Sequence, residues 1–239
     1  MTGNGWDKSA DAWIADMGEH GDWGRRFVLD NVMLTRVKAS DCKRALDVGC
    51  GEGRFCRKLG ELGLAAVGID PTKKFLDAAR RKDPLGNYMV GVGENLPFAS
   101  GSFDLVVSYL SLIDMEHYST AISEMNRVLM PGGTLLVANL TSFSTAGKAG
   151  GWQRNAFGKN LYFKIDDYFD ERSTWESWHG IEVKNWHRPL SAYMQAFLAR
   201  GLSLTFFDEP TPSGDDSPKA ARYRRVPWYV VMEWAKPAR

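Results

Sequence analysis

The sequence predicts an α/β fold on a mostly parallel sheet, and three observations predict it. Apolar runs of strand length alternate with helical stripes between about residues 40 and 140, the pattern of strands joined by crossover helices. Phe103-Asp104-Leu105-Val106-Val107-Ser108 is nearly continuous in apolar residues, as a strand covered on both faces requires. The first run, Ala45-Leu46-Asp47-Val48, leads into glycines on alternate positions, Gly49, Gly51 and Gly53, before a helix opens. Glycine permits φ > 0 and lets a bound molecule approach the main chain. A strand, glycine turn and helix in that order form a nucleotide cradle.

Each element follows from its own pattern. After the glycines, Phe55, Leu59 and Leu62 recur at helical spacing. Ala65 to Ile69 is a second strand ending in Asp70, and Thr72 caps a helix with Phe75, Leu76 and Ala79 on one face. Tyr88 to Val92 is a third strand and Phe103 to Ser108 a fourth. Tyr118, Ala121, Ile122, Met125, Val128 and Leu129 form a helical stripe that Pro131-Gly132-Gly133 ends. Thr134 to Leu140 is a fifth strand. Ser191 to Arg200 reads as a helix closed by Gly201, followed by strands at Leu202 to Phe207 and Pro227 to Trp234. Between them, residues 210–218 have the composition of a loop. Residues 141–188 stand outside the alternation and hold aromatic strand-like runs, Asn160 to Ile165 and Glu176 to Trp186.

Composition narrows the function. A chain of 239 residues suits one domain with an insertion, and a net charge of +1 with interspersed charges argues against a nucleic-acid-coating surface. The short cluster Arg222, Arg224, Arg225 reads as a solvated strand edge. Cys42, Cys50 and Cys56 form no C-x-x-C pair, which disfavours a disulfide framework or a zinc site and fits a reducing cytoplasm. No metal centre is expected. The N-terminus lacks an apolar signal segment, and no apolar run approaches the ~18 residues that span a bilayer. All nine tryptophans lie outside residues 24–151. Trp175, Trp178 and Trp186 are expected to wall a pocket for the acceptor, or else to pack a β-subdomain onto the sheet edge.

The spacing Asp47-x-Gly49-x-Gly51-x-Gly53 differs from the dinucleotide fingerprint, which needs glycine where Arg54 stands. It resembles the first motif of the class I S-adenosylmethionine-dependent methyltransferases. Gly91-Val92-Gly93-Glu94-Asn95-Leu96-Pro97-Phe98 is similar to the family segment G-D-A-E-x-L-P-F, with Val92 in place of its acid. The tail around His187-Arg188-Pro189-Leu190-Ser191-Ala192-Tyr193 resembles the small-molecule branch described as methyltransferase domain 11. The resemblance implies a Rossmann-like, doubly wound, seven-stranded sheet with its last strand antiparallel and an aromatic-rich insertion after the fifth strand. It divides the chain into a helical cap (1–40), the cofactor-binding core (41–140), an insertion covering the substrate (141–188) and a C-terminal completion of the sheet (189–239).

The implied cofactor is S-adenosyl-L-methionine, and the implied acceptor is a small molecule attacking through oxygen, nitrogen or carbon. Asp70, about 20 residues beyond the glycines, can accept both ribose hydroxyls. Asp47, Gly49, Cys50, Gly51 and Pro71 complete the cradle, with Asp47 acting near the methionine amino group or only holding the loop. Because Val92 cannot recognise adenine through an acid, Gly93, Glu94 and the Asn95 amide are expected to substitute; Glu94 has the alternative of a helix-entry acid. Ser108 ends the fourth strand at the carboxyl edge, with Tyr109 next to it facing the acceptor. The absence of an N/D-P-P-Y tetrapeptide there argues against methylation of a nucleobase amino group. Arg25 (or Arg26) can pair with the cofactor's carboxylate or stand as helix surface charge. Candidate bases are His187 and His20, where histidine satisfied by backbone partners is the alternative for His187. Two other functions stay open, a cofactor-binding relative without catalysis and a dinucleotide-dependent oxidoreductase.

Overall fold

The computed structural model describes residues 3–147 and 151–238. Its centre is a seven-stranded sheet of order β10-β11-β5-β4-β1-β2-β3. These strands are β1 (Arg44–Val48), β2 (Ala65–Asp70), β3 (Asn87–Val90), β4 (Phe103–Tyr109), β5 (Leu129–Leu140), β10 (Ser203–Asp208) and β11 (Tyr229–Ala235). β1 pairs in parallel with both β2 and β4, while β11 runs antiparallel to β5 and β10. The strand order reverses between β1 and β4, and ligands of open α/β sheets bind outside the strand ends at such a point. The doubly wound sheet with one reversed strand is the fold the sequence predicts.

Helices cover both faces. On one side Leu46, Val106, Val137 and Trp234 pack with residues of α5 (Tyr118–Val128) and α7 (Leu190–Leu198). On the other, Ala45, Leu105, Val107 and Val231 meet α2 (Asp30–Lys38) and α3 (Arg54–Glu61). Adjacent β4 residues thus serve opposite cores, which explains why that strand reads as continuously apolar. Trp234 is fully buried and stacks on Phe197 at 4.7 Å. α5 stops at Val128, but β5 already begins at Leu129. The Pro131-Gly132-Gly133 turn lies within it because Gly132 N–H donates to Lys236 O and Lys236 N–H to Gly133 O.

The remaining elements cover the carboxyl edge. α1 (Trp6–Met17) packs across α4 (Lys73–Lys82), and a π-helical turn (Arg25–Leu29) leads into α2. After α6 (Ser142–Ala146) come two hairpins, β6–β7 (Trp152–Arg154, Asn160–Phe163) and β8–β9 (Arg172–Trp178, Ile181–His187). Residues 148–150 of the expected insertion lie outside the described residues. The run Glu176 to Trp186 is not one strand. It breaks at His179 (φ 45°) and Gly180 (φ 80°), the two positive φ values of a two-residue hairpin turn. Arg222, Arg224 and Arg225 do not lie on a strand edge: α8 (Pro218–Tyr223) ends there, and Arg225 donates to Asn160 O and caps the Trp152 ring at 4.5 Å. No helix among the described residues is long and apolar enough to cross a membrane.

Candidate active site

A cavity of about 350 Å³ opens where β1, β2 and β4 end. Its floor is the glycine turn. Gly49 and Cys50 both donate their N–H to Ile69 O, at 2.8 and 3.1 Å, folding the chain back over the end of β2. Gly49 has φ 77°, and a Cβ there would run into the Ser111 side chain. Gly51 has φ 55°, and its missing Cβ would sit 3.2 Å from the Trp13 ring of α1. Both positions therefore need glycine, one for conformation and close packing, the other to leave the turn open to the cavity.

Asp70 ties two segments together. Its carboxylate accepts the Gly51 N–H at 3.0 Å and the Thr72 N–H at 2.8 Å. Thr72 occupies the N-cap of α4, but its hydroxyl makes no cap bond to the helix, a correction to the capping role read from the sequence. Burial pushes the Asp70 carboxyl up to about 6, against the pull of those two amides. Asp47 is 1% exposed; Cys56 Sγ lies 3.6 Å from its Oδ2, and its Oδ1 has no partner. Burial raises it to about 7. Asp114 closes the 3-10 turn Leu112–Asp114 beyond β4 and accepts from Asn185 Nδ2 at 2.6 Å. Burial takes it to about 8, opposed by the Asn185 and Trp6 hydrogen bonds and reinforced by the charge of Asp70.

The two arginines of the cavity each pair with an aspartate. Arg25 forms an ion pair with Asp22 and lies over the Trp13 and Tyr109 rings, each at 5.6 Å. Arg54, which denies the dinucleotide fingerprint its glycine, pairs with Asp30, and Tyr109 OH donates to the same carboxylate at 2.9 Å. The roof is aromatic. Trp6 and Trp13 pack on Phe75 of α4 at 5.7 and 4.9 Å, while Trp186 of β9 forms a further wall. The N-terminal segment and hairpin are fastened together by Lys184 N–H to Asn4 O and by Ser9, which both donates to Glu182 O and accepts its N–H.

Raised carboxyls have a consequence for stability. Their protonated form is favoured more in the folded than in the unfolded chain. The contribution is complete below about pH 4 and is lost as pH rises through the folded values, last of all for Asp114 near 8. Relative to an Asp114→Asn variant, the ligand-free wild type is expected to lose stability steadily between about pH 5 and pH 8. Chemical denaturation of both proteins across that window measures it, and a pH-independent difference would contradict the burial of this group.

The structure gathers most of the residues singled out in the sequence around this cavity: Asp47, Gly49, Cys50, Gly51, Asp70, Pro71, Gly93, Glu94, Arg25 and Tyr109 all line it. It moves six others away. Ser108 is fully buried beneath the floor, where its hydroxyl meets Ser111 Oγ at 2.8 Å; Ser111, past the end of β4 and after the left-handed Leu110 (φ 56°), takes the wall position. Asn95 is exposed outside the cavity, since its N–H folds back to Val92 O in a tight turn. Trp175 and Trp178 lie on the hairpin's outer reaches, 53% and 38% exposed. His20 is at the surface of the loop after α1. His187 is 1% exposed and satisfied on both nitrogens: Nε2 donates to Tyr168 O at 2.9 Å, so Nδ1 accepts from Thr145 Oγ1 at 2.7 Å. Burial lowers its pKa. It is a packing histidine.

Sequence reasoning missed Trp6, Trp13, Phe75, Ser111, Asp114, Met115 and Lys184 as lining residues. Trp6 and Trp13 carried a signal in the segregation of the tryptophans outside residues 24–151, and Asp114 carried one as a lone acid in the apolar stretch Leu110-Ser111-Leu112-Ile113-Asp114-Met115 at a strand's carboxyl edge.

Comparison with known proteins agrees with this layout. Residues 46–137 match the family described as methyltransferase domain. An uncharacterized methyltransferase of Synechocystis sp. is 35% identical over 109 residues, 45% of this chain and 51% of its own length. Malonyl-[acyl-carrier protein] O-methyltransferase of Erwinia pyrifoliae is 33% identical over 122 residues, 51% of this chain and 47% of its own. The chain thus spans about half the length of the curated relatives it matches. An S-adenosylmethionine dependent methyltransferase structure from Mesorhizobium loti superposes with a TM-score of 0.79 at 23% identity, covering 92% of this chain and all of that one, which is a likeness of fold.

Proposed function

From the match of residues 46–137 to the family described as methyltransferase domain, we propose that the chain transfers a methyl group from S-adenosyl-L-methionine to a small molecule by in-line displacement. One observation carries the reading. Two buried carboxylates, Asp47 and Asp70, line one cavity, while its arginines are paired with Asp22 and Asp30. Such a cavity favours a cationic guest, and this cofactor carries an ammonium group and a sulfonium.

The residues fit it. The partnerless Asp47 Oδ1 supplies an acceptor for an ammonium N–H. The Asp70 oxygens each hold one backbone amide and keep a lone pair for a ribose hydroxyl. Gly93, Glu94 and Pro71 border the part of the cavity left for the base, and Arg25 offers its guanidinium to the amino-acid carboxylate. When bound, the cofactor supplies an electrophilic methyl that needs no metal or covalent help. The chain's own task is alignment and exclusion of water, and alignment alone contributes ~7–11 kcal/mol in favourable geometry. Trp13 over Gly51 and Trp6 beside Phe75 roof part of the cavity. Aromatic faces near a sulfonium add ~0.5–2 kcal/mol each.

Calorimetric titration with S-adenosylhomocysteine is expected to show saturable, one-site, micromolar binding. A folded chain that does not bind it would remove the cofactor from this site.

A further inference from the structure

Among the cavity's acids, Asp114 stands apart. Asp70 is used to tie the glycine turn to α4, and Asp47 lies behind the glycines against Cys56. Asp114 does neither. Its own turn is held by other groups: Arg188, 1% exposed, donates to Met115 O at 2.6 Å and to Glu116 O at 3.0 Å, and Asp114 N–H donates to Ser111 O. The carboxylate is instead held by the two covering elements, by Asn185 of β9 and by Trp6 of α1. It therefore sits at the seam between the core and its cover, the space left for an acceptor once a nucleotide occupies the glycine turn.

We propose that Asp114 receives the proton-bearing attacking atom of the acceptor, an amine nitrogen or a hydroxyl oxygen, and that it selects against acceptors attacking through a carboxylate. This rests on the methyl-transfer reading above. Among the described residues no Lys, Arg or His forms an ion pair with Asp114. The charges that face it are Asp70, which opposes its ionisation, and Arg25, which favours it; Lys184 and Glu116 line the same cavity. Once ionised, above about pH 8, a carboxylate without a counter-cation gains from an N–H or O–H donor and repels a second carboxylate. The Trp6, Trp186 and Tyr109 rings offer faces to a cationic amine. In the transfer step the acceptor's proton passes to the Asp114 carboxylate, from a hydroxyl as its oxygen bonds to the methyl carbon, and from an ammonium beforehand, which frees the lone pair that then attacks. The electron pair of the broken carbon–sulfur bond stays on sulfur, leaving a neutral thioether. A group whose proton affinity is raised by burial is suited to take that proton.

The test is binding, read by calorimetry at a pH above the Asp114 value of about 8 and at saturating S-adenosylhomocysteine, with phenethylamine, 2-phenylethanol and phenylacetate as probes. The wild type is expected to bind the amine or the alcohol roughly tenfold or more tighter than phenylacetate. Asp114→Asn should narrow that gap to within about threefold while keeping its affinity for S-adenosylhomocysteine. That retained affinity also reports an intact fold; should this variant lose it, Asp114→Ser carries the same expectation. Equal or better binding of phenylacetate by the wild type, no binding of any probe, or an unchanged preference in the variants overturns the proposal. Failure of the wild type to bind S-adenosylhomocysteine is a separate result and overturns the cofactor reading instead.

Discussion

Asp70→Ala is expected to abolish measurable binding of S-adenosylhomocysteine while the chain stays folded. Two effects add on the ligand side. The variant removes a charged acceptor for the ribose hydroxyls, and each hydrogen bond to a charged group is worth ~1.5–3 kcal/mol. It also frees the Gly51 and Thr72 amides that the carboxylate holds at 3.0 and 2.8 Å, so the glycine turn loses its tie to α4. On the stability side the terms oppose each other. Two buried amides lose a partner, at ~1–3 kcal/mol each, but a carboxylate that burial has already raised to about 6 is removed. Affinity should therefore fall by roughly a hundredfold or more with a much smaller change in folding free energy. Asp70→Asn, with one acceptor oxygen and one amide, should lie between. Calorimetry and denaturation on the same samples separate the two effects, and an unaltered dissociation constant would end the ribose assignment.

Gly49→Ala is expected to damage both binding and fold. An alanine at φ 77° is strained, at ~1–3 kcal/mol for a non-glycine residue held in that region. Its Cβ also meets the Ser111 side chain, which cannot swing away because its hydroxyl donates to Val48 O and meets Ser108 Oγ at 2.8 Å. Overpacking of this kind costs a further ~1–3 kcal/mol, a large share of the ~5–15 kcal/mol by which domains are stable. The expected outcome is a clear drop in Tm together with loss of S-adenosylhomocysteine binding. Adding Ser111→Gly should return the steric part and leave the conformational part. Full recovery in the double variant would mean that the backbone tolerates alanine there and that packing alone was the constraint.

How far the site was legible depended on whether a residue's role is local. Gly49, Gly51 and Asp70 were readable because turn geometry and strand length fix them within a few bonds of the chain. His187 and Ser108 were misplaced for one shared reason. Each lies close in sequence to the cavity, yet side-chain direction is set by strand alternation and helix packing. The turn of the chain at Leu110 (φ 56°) leaves Ser108 under the floor and brings Ser111, three residues on, into the wall. The tryptophans show the same limit. Their segregation outside residues 24–151 marked the covering segments, but position along the folded hairpin decided the rest: Trp175 pairs opposite Lys184 on the face that carries Trp186, yet Trp186 lines the cavity while Trp175 and Trp178 stay exposed.

The sequence by itself determined the sheet and its glycine cradle, because hydrophobic period and glycine conformation act over a few residues. Only the tertiary structure decided what surrounds that cradle. Trp6, Trp13, Asp114 and Asn185 come from three distant segments and meet at one cavity. Their partnership, and the raised proton affinity of Asp114 that follows from it, depends on burial, which no stretch of chain possesses until the others fold over it.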